Sequence, residues 1–140
     1  MSVPLATFAA MSIRWYSVVV DCEDVAAQGH WWAEALGWTV VYEAPGEFVI
    51  VPPHALDKTK EIPVMEQGPG LVFVTVAEGK AIKNRLHIDL APREGVDQAA
   101  EVDRLVRLGA KRVDVGQGEA PWVVLADPEG NEFCVLTPRD

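Results

Sequence analysis

The chain is poor in cysteine, in cationic side chains and in long apolar runs, and each shortage excludes a class of protein. Cys22 and Cys134 are its two cysteines, far apart and in no metal-type spacing. Two thiols make no disulfide framework, and they suit a reducing cytoplasm. No apolar stretch approaches the ~18 residues that a membrane-spanning helix needs, so no membrane is expected. Lysine and arginine number 12 against 21 aspartates and glutamates, a net charge of −9 over 140 residues. Such a surface repels phosphate backbones on average, and nucleic acid is not an expected partner. The loop Gly116-Gln117-Gly118 lacks the lysine and the following helix of a phosphate cradle. Residues 1–12 are mildly apolar with no cationic region ahead of them, and read as an N-terminal extension rather than a secretory signal.

What is present is ordinary globular material, 49% hydrophobic and 24% charged. A chain of this size buries about two-thirds of its unfolded surface, enough for a core. Residues 14–20 (RWYSVVV) are β-branched and aromatic and predict a strand. Asp24 is a natural N-cap for a helix reaching Leu36, with Val25, Trp32 and Leu36 on one stripe and Gly37 at its end. Strands follow at 38–42 and 47–51 around a Pro45-Gly46 turn. Residues 52–69 carry four prolines and read as a long irregular loop, and 71–76 (LVFVTV) as a strand. The same grammar then returns. A strand at 85–90 (RLHIDL) precedes a helix at 96–108 ending in Gly109, then strands at 111–115, 122–126 and 132–136. Each half reads strand, helix, strand, strand, strand, and both helices end in Leu-Gly, which points to a duplicated unit.

Two segments carry a family resemblance: 83–90 (KNRLHIDL) and 127–136 (DPEGNEFCVL). With the Leu108-Gly109-Ala110 helix end, they make the chain resemble the vicinal oxygen chelate superfamily, which includes glyoxalase I, bleomycin-resistance proteins and extradiol dioxygenases. The likeness is strongest to the superfamily's small glyoxalase-like domain proteins. It implies an α+β fold of two βαβββ modules, at about 13–76 and 84–137 of a single domain 13–138, with curved mixed sheets around a cavity. It also implies a homodimer that binds a small organic molecule, as in sequestration or resistance. The alternative is a lyase, isomerase or dioxygenase.

Metal-dependent members of that superfamily place a ligand on the first and last strand of each module. Here those places fall on Ser17, near Phe73 or Val74, on His87 and on Cys134. Only His87 is a standard ligand at its place. Serine is a poor ligand for a divalent transition ion, and one His with one Cys falls short of the three or four protein ligands of zinc. The expectation is a site with no metal and no cofactor. The alternative keeps a divalent metal on His87, with Asp89 and either His30 or His54 as a facial triad for iron.

Alternation along the 85–90 strand puts Arg85, His87 and Asp89 on one face and leaves Leu86, Ile88 and Leu90 to pack under the helix. His87 would then share a pocket with Cys134, with Ser17 opposite, and serve as acid, base or ligand anchor. The competing reading is a histidine bridging strands. Asp89 orients His87 or pairs with Arg85 or Lys83. Cys134 is a reactive thiolate only beside a cation, and is otherwise a small buried hydrophobe. Trp32 and Trp122 are candidate cavity walls, with core packing as the competing role. Lys80, Lys83 and Arg85 form a basic cluster for an anionic group or for salt bridges to Asp127, Glu129 or Glu132. His30 and Glu34 are spaced as a surface pair. The expected ligand-binding set is Ser17, Trp32, Arg85, His87, Asp89, Trp122 and Cys134, with His87 the catalytic candidate.

Overall fold

In the computed structural model, which describes residues 12–57, 59, 61–63 and 66–140, the two halves repeat one topology. The first runs β1 (Ser17–Cys22), α1 (Val25–Leu36), β2 (Thr39–Ala44), β3 (Glu47–Val51) and β4 (Gly70–Thr75). The second runs β5 (Ile88–Leu90), α2 (Gln98–Leu108), β6 (Lys111–Arg112), β7 (Val123–Ala126) and β8 (Glu132–Val135). Each half makes a four-stranded mixed sheet, ordered β1-β4-β3-β2 and β5-β8-β7-β6. In both sheets the first strand lies parallel to the last and the remaining pairs are antiparallel. A two-residue hairpin cannot make such a parallel pair, which needs a long crossover connection. The expected extension at 1–12 falls, but for Ser12, outside the described residues. No helix among the described residues is long and apolar enough to cross a membrane.

Caps place the helices. Asp24 accepts from the Ala27 N–H at 3.1 Å, and Asp97 from the Ala99 N–H at 3.4 Å. Gly37 closes α1 at φ 67°, a left-handed backbone that a Cβ would strain. Because Asp97 is the cap, α2 starts at Gln98 rather than at Val96. Strand ends shift where partners are missing. β1 begins at Ser17, beside Gly70, and leaves Trp15 and Tyr16 exposed before it. β5 keeps only the residues that face Phe133, Cys134 and Val135 of β8. β6 is reduced to the pair opposite Leu125 and Ala126. The 52–69 loop holds one turn of 3-10 helix, Pro53–Leu56.

The core forms where inward faces meet α1. Val18, Val20, Phe48, Ile50, Leu71 and Phe73 of the first sheet join Ile88, Leu90, Leu125, Phe133 and Val135 of the second in one cluster. α1 joins the modules: Trp31 and Trp32 meet Phe133 edge-on, with centroids 5.8 and 5.1 Å away. The Trp31 indole N–H also donates to the Leu108 carbonyl of α2 at 3.1 Å. One member of the expected inward set is corrected. Leu86 is 89% exposed, because the strand that would turn it inward does not begin until Ile88.

Gly29 tests this packing. It is buried in α1, and a Cβ built on it would overlap the ring of Phe48, a side chain with no exposed area. In an unhindered helix, Gly to Ala gains about 1 kcal/mol. Overpacking costs roughly 1–3 kcal/mol and should win here. Gly29→Ala is therefore expected to lower stability to urea by about 1–2 kcal/mol. A variant more stable than the parent would show that α1 and β3 are not packed as described.

Candidate functional site

β5 and β8 are parallel neighbours, and their register sets Asp89 beside Cys134. Ile88, Leu90, Phe133 and Val135 turn into the core, so the residues between them turn to the opposite face of the sheet. His87 joins them there, with Nε2 3.1 Å from Asp89 Oδ1. One donor atom each from His87, Asp89 and Cys134 lie within 4.8 Å of one another.

A pocket of about 370 Å³ opens on this face. Val115, Trp122, Val124, Cys134 and Leu136 supply its apolar lining, and Lys83, His87, Asp89, Gln117 and Glu132 its polar groups. All of these belong to the second module, and Trp122 keeps 41% of its surface open to solvent. This pocket is an open trough on one sheet, and no described residue of the first module lines it.

The charges around it are ordered. Glu132 accepts from Lys80 Nζ and from the Asn84 N–H, both at 3.0 Å. Burial opposes its ionisation, but the Asn84 and Lys80 hydrogen bonds prevail and hold its carboxyl below the usual range. Burial, then the charge of Asp89 and the hydrogen bond made to it, push the Cys134 thiol up, with Lys83 opposing. Cys134 is thus a thiol at neutral pH, and the reactive-thiolate reading is set aside. Cys22, on the core side of β1, is likewise a thiol. Burial first, and then the carboxylate of Glu129, push it up to about 11.

Of the expected ligand-binding residues, the structure brings together His87, Asp89, Trp122 and Cys134. Arg85 is exposed and does not line the pocket. Trp32 is 3% exposed and belongs to the core, where its indole N–H donates to Asp127 at 3.0 Å. Ser17 lies on the first sheet beside Gly70. Phe73 is fully buried in the core. Serine at 17 and phenylalanine or valine at 73 or 74 supply no donor for a divalent transition ion, so the four-ligand site of metal-dependent relatives does not fit this chain. The iron triad is not assembled either. His30 pairs with Glu43 at 3.4 Å, not with Glu34, and His54 sits in the 3-10 turn. Asp89 pairs with His87 rather than with Arg85 or Lys83. Sequence reasoning missed Val115, Gln117 and Val124 as lining residues. The first two come from the β6–β7 connection, where only Gly116 and Gly118 marked a loop.

The family model of the glyoxalase-like domain matches residues 17–136. A glyoxalase/bleomycin resistance protein/dioxygenase family enzyme from Burkholderia phytofirmans PsJN superposes with a TM-score of 0.56 at 18% identity, covering 89% of this chain and 98% of that one. A possible glyoxalase from Bacillus cereus gives 0.58 at 17% identity, covering 91% and 99%. The fosfomycin resistance protein FosX from Mesorhizobium loti gives 0.60 at 13% identity, covering 89% and 91%. No curated protein matches the sequence. At these identities the solved structures speak for the fold alone, while the family model spans both modules from β1 to the end of β8: the chain belongs to the glyoxalase-like domain family.

Proposed function

We propose that the protein binds a small organic molecule in the pocket of its second module, without needing a resident metal, as a cytoplasmic homodimer. The observation that carries this is the pocket's make-up: an indole face and apolar floor from Trp122, Val124 and Leu136 beside the His87–Asp89 pair. A flat, largely apolar molecule with one polar group suits it, the ring against Trp122 and the polar group at His87. A resistance role is the reading we carry over from a fosfomycin resistance protein and a glyoxalase/bleomycin resistance protein/dioxygenase family enzyme that share this fold. A second reading, catalysis, rests on the carboxylate 3.1 Å from His87, which orients an imidazole for acid–base work.

A thermal-shift screen of aromatic and heteroaromatic molecules, run in chelator, tests the proposal, because binding to the native state raises the melting temperature. Trp122→Ala should weaken a hit by about tenfold or more, and His87→Ala should weaken it while leaving stability nearly unchanged. A hit indifferent to both substitutions would place binding elsewhere. Turnover that His87→Ala abolishes while binding persists would favour the enzyme.

The homodimer is supported by the open face of the first sheet. Val19, Val72, Val49 and Tyr42 sit in register across all its strands, with Val19 57% and Tyr42 51% exposed. An apolar row of this kind is covered by association. Light scattering at about 100 µM, well above a micromolar Kd, should read twice the mass of one chain. A monomer there would rule the dimer out. The cytoplasmic assignment is supported by two free cysteines in place of a disulfide.

A further inference from the structure

The basic cluster between the modules does not act as one unit. Lys80 is held by Glu132 at 3.0 Å, and Arg85 is exposed and outside the trough. Of the three, only Lys83 lines it. Among the described residues its ammonium meets no carboxylate, and its one acceptor is the Asn84 carbonyl at 3.2 Å. Its charge is felt at Cys134, where it opposes the upward push on the thiol. The carboxylates that line the trough are already answered. Asp89 meets the His87 imidazole at 3.1 Å and the Cys134 thiol. Glu132 accepts from Lys80 on one oxygen and from the Asn84 N–H on the other. Gln117 accepts the Val115 N–H at 2.9 Å through Oε1, and its side-chain NH2 has no partner among the described residues. One cation and one amide donor are therefore left open. We infer that the ligand is a planar aromatic carboxylate, its ring against Trp122 and its carboxylate held by the Lys83 ammonium and the Gln117 amide, beside His87.

The assignment rests on the second-module pocket being the organic-ligand site, and it fixes the charge of that ligand. An ionised carboxylate has two acceptor oxygens and no proton to donate, so it fills both open donors and asks nothing of Asp89 or Glu132. An amide of the same shape brings one oxygen and two N–H donors, which meet carboxylates already engaged. An amine is repelled by Lys83 and is left with the indole face of Trp122. The chain's net charge of −9 does not reverse this, because salt screens distant charges while Lys83 acts at contact. Lys83 is exposed and the trough is open, so water competes and the preference is modest, about fivefold.

The probes are 2-naphthoate, 2-naphthamide and 2-naphthylmethylamine, with the same trio built on quinoline and on indole. Each is titrated by calorimetry into the full chain at neutral pH in chelator. Within a trio that binds, the acid should bind about fivefold or more tighter than its amide, and the amine most weakly. Lys83→Met keeps the apolar stem and removes the charge. It should bring the acid down to the amide while changing the amide's affinity by less than about twofold. Gln117→Glu keeps the acceptor for the Val115 N–H and replaces the open donor with a negative oxygen, so it should weaken the acid more than the amide. Melting of both unliganded variants should match the parent. An amide or amine that binds as tightly as the acid overturns the inference and leaves the pocket reading standing. So does a preference for the acid that survives Lys83→Met. If no member of any trio binds, the inference falls, and the wider thermal-shift screen decides the pocket reading by itself.

Discussion

Replacing Asp127 with alanine should cost roughly 3–5 kcal/mol of folding stability and lower the melting temperature by roughly 10 °C. Asp127 is 4% exposed and serves as a shared acceptor between the modules. From α1, the side-chain amide of Gln28 and the indole of Trp32 donate to one of its oxygens. From its own turn, the N–H groups of Glu129 and Asn131 donate to the other, at 3.0 and 2.9 Å. Alanine would strand these donors, and a buried donor without a partner costs about 1–3 kcal/mol. Gln28 makes the loss worse: it is fully buried, and its Oε1 already has no protein partner. Asp127→Asn should fall between parent and alanine, because the amide keeps one acceptor and turns the other into a donor facing donors. Urea unfolding of both variants is the check. A loss under about 1 kcal/mol for the alanine variant would mean that water satisfies these groups and that Asp127 does not tie the modules together.

Phe133→Ala should cost about 3–5 kcal/mol, as a fully buried aromatic truncation. Phe133 is 1% exposed on β8, with Trp31 and Trp32 edge-on against it from α1. Such aromatic contacts add about 0.5–1.5 kcal/mol to the area lost. The contrast lies with its strand neighbour. Cys134 faces the pocket, so Cys134→Ser should cost far less while changing the pocket's chemistry. Chemical unfolding of the two variants side by side reads the difference. If Phe133→Ala were the milder change, the inward and outward faces of β8 would be reversed.

Much of this arrangement is legible from local pattern. Asp24 and Gly37 bracket α1 because a cap and a left-handed terminus are local requirements. The alternation of RLHIDL put His87 and Asp89 on the pocket face, and Ile88 and Leu90 in the core, because strand periodicity is also local. What escaped depends on partners distant in sequence. The length of β5 is set by β8, which offers nothing to pair with Arg85 or Leu86. Trp32 lies on the same helical stripe whether it walls a cavity or fills a core. Only the approach of Phe133 and Asp127 decides for the core. Asp127 itself read as a salt-bridge partner for the basic cluster, since neither Gln28 nor Trp32 is near it in sequence. Val115 and Gln117 reach the pocket through a connection whose course no periodicity reveals.

The central claim is that the polar face of the second module's sheet is the binding site. Amide chemical-shift mapping with the strongest thermal-shift hit tests it most directly. Saturable changes should cluster at residues 83–90, 115–124 and 132–136, the segments that carry the pocket. Saturable changes confined to residues 17–75 of the first module, with the pocket segments silent, would contradict it.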